Sequence, residues 1–174
     1  MKRIRSMAPL LAGLLTLVLT SCTLYVTPGD VSVSGRVSFG ISVSDVIQTF
    51  EPTRGTGAAY YVGENIAFRV LTARDGYLTL TAIDPDGTVY TLARNLYVRG
   101  GRVQVIEGPN AASVFSLVPP RGFHRVRASF TSDPTSGRVS YQGVYGEEAW
   151  SRTIRAELDP YEVRDVAETN FYLY

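Results

Sequence analysis

The sequence predicts an all-β fold, an antiparallel sandwich or barrel, and three observations predict it. Apolar and polar residues alternate with period two in segment after segment, which gives a strand one buried face and one wet face. These segments are short, and glycine, proline and aspartate separate them as turn residues do. No long stretch carries the 3.6-residue apolar period of an amphipathic helix. A chain of 174 residues holds one domain with a real core and is too short for two ordinary ones.

The first 22 residues differ in kind. "MKRIRS" supplies Lys2, Arg3 and Arg5, "MAPLLAGLLTLVLT" is an apolar run, and Ser21 and Cys22 are small. That order is the cationic, apolar and cleavage pattern of a secretory signal, and the run falls short of the ~20 residues that span a bilayer. Leu19-Thr20-Ser21-Cys22 resembles the lipobox of bacterial lipoproteins. The resemblance implies that signal peptide 1–21 is removed, that diacylglycerol is joined to the Cys22 thiol, and that the new amine is acylated. Cys22 is the only cysteine, so a disulfide framework is excluded. Each buried acyl methylene contributes about 0.8 kcal/mol to membrane affinity, so several chains anchor durably. Removing Lys2, Arg3 and Arg5 from the 17 basic residues leaves 14 arginines against 16 acids. That balance lacks the basic excess of a nucleic-acid binder.

Residues 22–30 read as a lipidated tether and residues 31–174 as one β-domain. "VSVSGRVSFGISVS" (31–44) alternates throughout and predicts a strand. "ENIAFRVLT" places Ile66, Phe68 and Val70 on one face, and "YLTLTAI", "TVYTL", "RVQVIE" and "HRVRASF" continue the series. "GRVSYQGVY" (137–145) and "WSRTIRAEL" (150–158) are also read as strands, the second with Arg152 on its apolar face. "YEVRDVAET" (161–169) is read as a short helical turn, and the terminal "NFYLY" as an aromatic strand closing the sandwich edge. "SGRVSF" at 34–39 and "SGRVSY" at 136–141 echo each other as amphipathic strands of like composition, not as a repeat.

Asp84-Pro85-Asp86-Gly87 poses the first chemical question. A calcium loop starting at Asp84 needs glycine at its sixth position and glutamate at its twelfth, where this chain has Val89 and Asn95. With alternating segments on both sides, the tetrapeptide is a hairpin turn, proline fixing φ and glycine accepting φ > 0.

Val62-Gly63-Glu64 before a strand, Asp75-Gly76-Tyr77-Leu78 opening the next, the 84–87 turn and Pro120-Arg121-Gly122 before a late strand form a spaced set. Over residues 58–133 the set resembles a widespread bacterial domain of unknown function found in lipoproteins and attached to signalling or peptidase-like proteins. The resemblance implies an immunoglobulin-like β-sandwich and no established catalytic residues. Where that family has a leucine-phenylalanine-proline-asparagine segment, this chain has "TLARN" and retains only Asn95.

The inventory for catalysis is poor. His124 is the sole histidine and the only weak metal candidate, whereas copper or zinc sites normally take two or more His or Cys ligands. No G-x-S-x-G nucleophile elbow is present. His124, between Phe123 and Arg125 at a strand start, reads as an ordinary half-exposed side chain, and Glu147-Glu148 as solvated acids in a turn. No catalytic residue and no cofactor is expected. Arg94, Arg99, Arg102, Arg121, Arg125 and Arg127 are opposed only by Glu107 between residues 94 and 127, while residues 147–168 are acidic. Either the molecule is electrically two-faced, with these arginines meeting a partner or anion, or the charges interleave and cancel.

The expectation is a lipid-anchored cell-envelope protein at the outer membrane or surface, such as an S-layer-associated accessory subunit. Its partners would be the membrane, through lipid on Cys22, and another envelope protein. Two alternatives remain open: a superoxide-dismutase-like redox or metal enzyme subunit whose site is shared with a partner, and a module binding an envelope ligand or glycan.

Overall fold

The computed structural model describes residues 43–174. The leader, Cys22, the tether and all but the last two residues of the 31–44 segment lie outside the described residues.

Among the described residues, ten strands and one helix follow in the order β1 (Ile47–Pro52), β2 (Ala58–Tyr60), β3 (Asn65–Ile66), β4 (Phe68–Thr72), β5 (Gly76–Ile83), β6 (Val89–Val98), β7 (Val103–Ile106), β8 (Phe115–Ser116), β9 (Gly122–Thr131), α1 (Glu147–Leu158) and β10 (Arg164–Leu173). A five-stranded sheet runs β2-β10-β9-β5-β6, a three-stranded sheet β1-β4-β7, and β3 pairs β8 as a small ribbon. All pairs are antiparallel except β2 with β10. This is an all-β sandwich. Its core forms where Leu78, Leu80 and Ala82 of β5, Val126, Ala128 and Phe130 of β9, and Phe171 and Leu173 of β10 meet Phe50, Phe68, Val70 and Phe115. Ile66, Phe68 and Val70 are all buried, as their shared face predicts.

The intervening residues of β5, β9 and β10 point to the other side of the large sheet, where α1 lies. Trp150, Ile154 and Leu158 of the helix enclose a second cluster with Ile83, Val89, Tyr141 and Val166. The strand predicted over 150–158 is therefore a helix. The three apolar anchors recur every fourth residue, which serves a helix stripe as well as an every-second-residue pattern. Arg152, the misfit on the strand's apolar face, stands on the helix surface and pairs with Glu148 one turn away. Glu147 and Glu148 in the first turn and Arg155 in the last suit the helix dipole.

The reverse correction applies to residues 161–169. No helical turn forms there, because β10 begins at Arg164 and pairs with β9 over its whole length. The sandwich covers one face of β10 and α1 part of the other, so Asp165, Val166 and Ala167 are buried in succession and the alternation vanishes from the sequence. Residues 137–145 form no strand; Tyr141 instead turns under the helix. Residues 136–141 thus share a composition with 34–39 and are not an edge strand. All of "NFYLY" except Tyr174 is in a strand, but β10 lies one place in from the sheet edge, between β2 and β9.

Buried Asp165 ties the two sheets together. Its Oδ2 accepts hydrogen bonds from the backbone N–H of Val46 (2.6 Å) and Ile47 (2.7 Å), and its Oδ1 from Val166 (2.9 Å). The start of β1 is thereby fixed to β10 by charge-assisted bonds that satisfy otherwise orphaned donors.

Candidate functional site

The Asp84–Gly87 turn joins β5 to β6, as predicted. Asp84 N–H donates to Thr88 O (3.0 Å), Gly87 N–H donates to Asp84 O (2.9 Å), and Gly87 has φ +90°, which an L side chain resists. Asp86 accepts from Thr88 N–H at 2.9 Å, and that bond leads the effects holding its carboxyl below the usual range. Asp84 does something else. Its Oδ1 accepts from the Tyr90 hydroxyl (3.0 Å) and lies 2.9 Å from Nδ1 of His124.

His124 is 2 % exposed, not half-exposed as its charged neighbour suggested. It sits on the inward face of β9, its ring stacks on Phe171 at 5.0 Å, and its Nε2 lies 2.8 Å from Pro120 O. Both ring nitrogens are occupied. Nδ1 faces the Asp84 carboxylate and Nε2 the Pro120 carbonyl, so protein oxygens hold the ring from both sides. The imidazole is a clamp that fastens the 84–87 turn to the Pro120 loop. Burial first, and then the Asp84 charge, push the Tyr90 phenol well above its ordinary range.

This polar group closes one side of an apolar pocket of about 460 Å³ between the sheets. Ile66, Phe68, Phe115, Leu117 and Val126 contribute buried walls, and exposed Val114 and Val118 mark the opening. The volume falls within the range of small-molecule sites, which typically combine apolar walls with a few convergent polar groups. Both bonds to Asp84 use Oδ1; Oδ2 makes none among the described residues and remains an acceptor. Sequence reading missed the site because its polar residues come from the 84–87 turn, β6 and β9, and nothing local to Asp84 or His124 marks their contact.

Residues 59–134 match the family model described as "Domain of unknown function (DUF4384)". No match was found among curated proteins or among solved structures. The motifs of the DUF4384 segment have structural explanations here. Gly122 passes so close to Pro85 that a Cβ would lie 2.9 Å from its Cγ, so the turn and the Pro120 loop interlock. Asp75 accepts from Gly100 N–H and from the Tyr97 hydroxyl, both at 2.8 Å, fixing the far end of the β5–β6 hairpin. Gly63 N–H donates to Leu117 O, and Leu117 N–H to Glu64 O, which holds the pocket wall. Asn95, at φ +55°, interrupts the β5–β6 register and bonds the backbone of Thr135 in both directions.

The six arginines do not assemble one cationic face. Arg99 and Arg102 are exposed beside the β6–β7 turn, while Arg121 is exposed at the opposite end of the large sheet. The other three interleave with the acidic segment. Arg94 pairs with Glu157, Arg125 with Glu147 and Glu168, and Arg127 with Glu147 and Glu168. Arg127 is fully buried, with its guanidinium 3.9 Å above the Trp150 ring, so it meets no outside partner. Glu147 is accordingly no free turn acid. Burial acts to raise its pKa, but the hydrogen bond and charge of Arg127, followed by those of Arg125, hold it below the usual range.

A pH dependence follows from that direction. A carboxyl depressed in the folded state contributes stability that is present above its unfolded value, about 4.3, and lost as pH falls through the folded value. Thermal unfolding should show this contribution intact at neutral pH and fading below about pH 4. Glu147→Gln should flatten that acid limb, and an unchanged limb would contradict the assignment.

Proposed function

We propose that this protein is a non-catalytic binding module of the cell envelope, held at a membrane through lipid on Cys22. Its ligand is a small amphipathic molecule whose apolar body fills the pocket between the sheets and whose hydrogen-bond donor meets Asp84. The pocket carries the reading: an apolar space of about 460 Å³ with a polar group fixed at one side. Immobilised histidine and satisfied ion pairs favour binding over turnover, since protein oxygens hold both ring nitrogens of His124. Lipid attachment would raise the local concentration of the module near envelope partners and make a modest intrinsic affinity sufficient. Outer-membrane or surface residence and an accessory role in a larger assembly belong to the same proposal. The signal pattern and lipobox support them.

Ala82 lines the pocket and is 2 % exposed, so a phenyl group placed there enters existing space. The full-length protein in detergent should bind one equivalent of a fluorescent apolar probe, and Ala82→Phe should weaken binding about tenfold or more while the thermal midpoint holds. Probe binding that the plug leaves unchanged would place the ligand elsewhere and remove this reading.

A further inference from the structure

We propose that the outer face of β9 and β10, at the Gly122 end of the large sheet, is a second binding site, for an extended oligosaccharide. The site is a single file of aromatic rings, Phe123, Tyr172, Tyr174 and Tyr61, which are 40, 44, 55 and 63 % exposed. Neighbouring ring centroids lie 5.1, 6.5 and 6.3 Å apart. Sheet geometry produces the file. Phe123 and Tyr172 are direct cross-strand partners, Tyr174 follows two residues later on the same face, and Tyr61 follows β2, which runs parallel beside β10. None of the four belongs to either apolar cluster, so folding leaves them wet. A contiguous exposed aromatic surface of this kind marks an interaction site.

The chemistry of the surroundings selects the ligand. A pyranose ring offers a flat C–H face to stack on an aromatic ring and hydroxyl groups around its rim. The spacing along the file provides about one aromatic ring per sugar. Adjacent ring planes differ by 50°, 29° and 45°, a twisted track that suits a soluble chain and not the flat surface of a crystalline polymer. On the same face stand Asn170, two residues before Tyr172, and Arg125, two residues after Phe123. The Asn170 amide group makes no hydrogen bond among the described residues, so its donors and acceptor remain for hydroxyl groups. Arg125 is matched by Glu147 and Glu168, so it adds directional donors with little net charge. A membrane surface would call for a cationic rim, and Arg125, the arginine beside the file, is matched by two acids. A protein interface concentrates its energy in an enclosed centre, which a file one ring wide does not provide.

The test is titration of the full-length protein, in detergent micelles, with soluble β-1,4-linked N-acetylglucosamine oligomers of increasing length. Affinity is expected to rise until the oligomer covers the four rings and then to level off. Tyr172→Ala should weaken binding about tenfold at unchanged thermal midpoint, by analogy with the loss of a stacked nucleobase. Tyr97→Ala, an exposed ring at the opposite end of the sheet, should leave affinity unchanged. Absence of saturable binding at any length overturns the proposal, and so does equal weakening by the two variants. A Tyr172→Ala protein that loses a protein partner yet keeps its oligosaccharide affinity also overturns it, in favour of a protein interface.

Discussion

Arg127→Ala will lower the stability of the domain by about 3–5 kcal/mol, the range found when one member of a buried ion pair is removed. For a domain of this size that corresponds to a fall in thermal midpoint of roughly 10–15 °C. Arg127 is 0 % exposed, donates to Glu168 at 2.6 Å and to Ser151 at 3.0 Å, pairs with Glu147, and covers the face of Trp150. Alanine would strand Glu168, whose side chain is only 17 % exposed, with the longer 3.7 Å contact to Arg125 as its remaining ion pair among the described residues. It would also open a void above the indole. These two losses can be separated. Arg127→Met refills the void and restores the apolar contact but leaves the acids uncompensated, so it should recover only part of the loss. Adding Glu147→Gln and Glu168→Gln to Arg127→Met should recover most of the remainder, because replacing a whole buried ion network with neutral groups is often close to neutral. Calorimetry across the series checks this. Arg127→Ala within about 1 kcal/mol of the parent would mean that the network does not hold the helix to the sheet.

The same network shows where the sequence was legible. Alternation in β4, β5 and β9 could be read because each of these strands has a continuous inward row from Phe68 and Val70 to Leu80 and Phe130. The hairpin at Asp84–Gly87 was legible because proline, glycine and the flanking strands are local signals. β10 was not, since neighbours on both faces bury Asp165, Val166 and Ala167 alike. Trp150, Ile154 and Leu158 fit two periods at once, and only the position of Arg152 argued against a strand. Short β2 and β8, of three and two residues, are too brief to carry any pattern. For the candidate site, the turn was visible but its chemistry was not. Asp84 and His124 are 40 residues apart, and their contact exists only because β5 and β9 are neighbours in the sheet. The arginines failed in the same way: their partners Glu147, Glu157 and Glu168 follow them in the chain and return to them only through α1 and β10.

Trp150→Ala is expected to cost about 3–5 kcal/mol, the usual consequence of deleting a buried aromatic side chain. The indole is 0 % exposed, its Nε1–H donates to Thr81 Oγ1 at 2.9 Å, and the guanidinium of Arg127 stacks on its ring. It is thus at once the anchor of α1, the partner of a buried hydroxyl and the floor of the ion network. A 12-residue helix is marginal in isolation and owes its persistence to packing on the sheet. Removing its anchor should therefore lower helical circular dichroism before the sandwich unfolds, and leave Ile83, Val89 and Val166 open to water. Trp150→Phe separates the contributions: ring burial largely survives while Thr81 loses its donor, so the cost should fall to about 1–2 kcal/mol. Because Trp150 is the only tryptophan, the emission of the parent protein reports helix docking directly. Its red shift on heating should coincide with the loss of helical signal, and precede or accompany loss of the sheet signal. Emission that stays blue after the sheet has melted would show that the helix is not held by the face of the sandwich on which it lies.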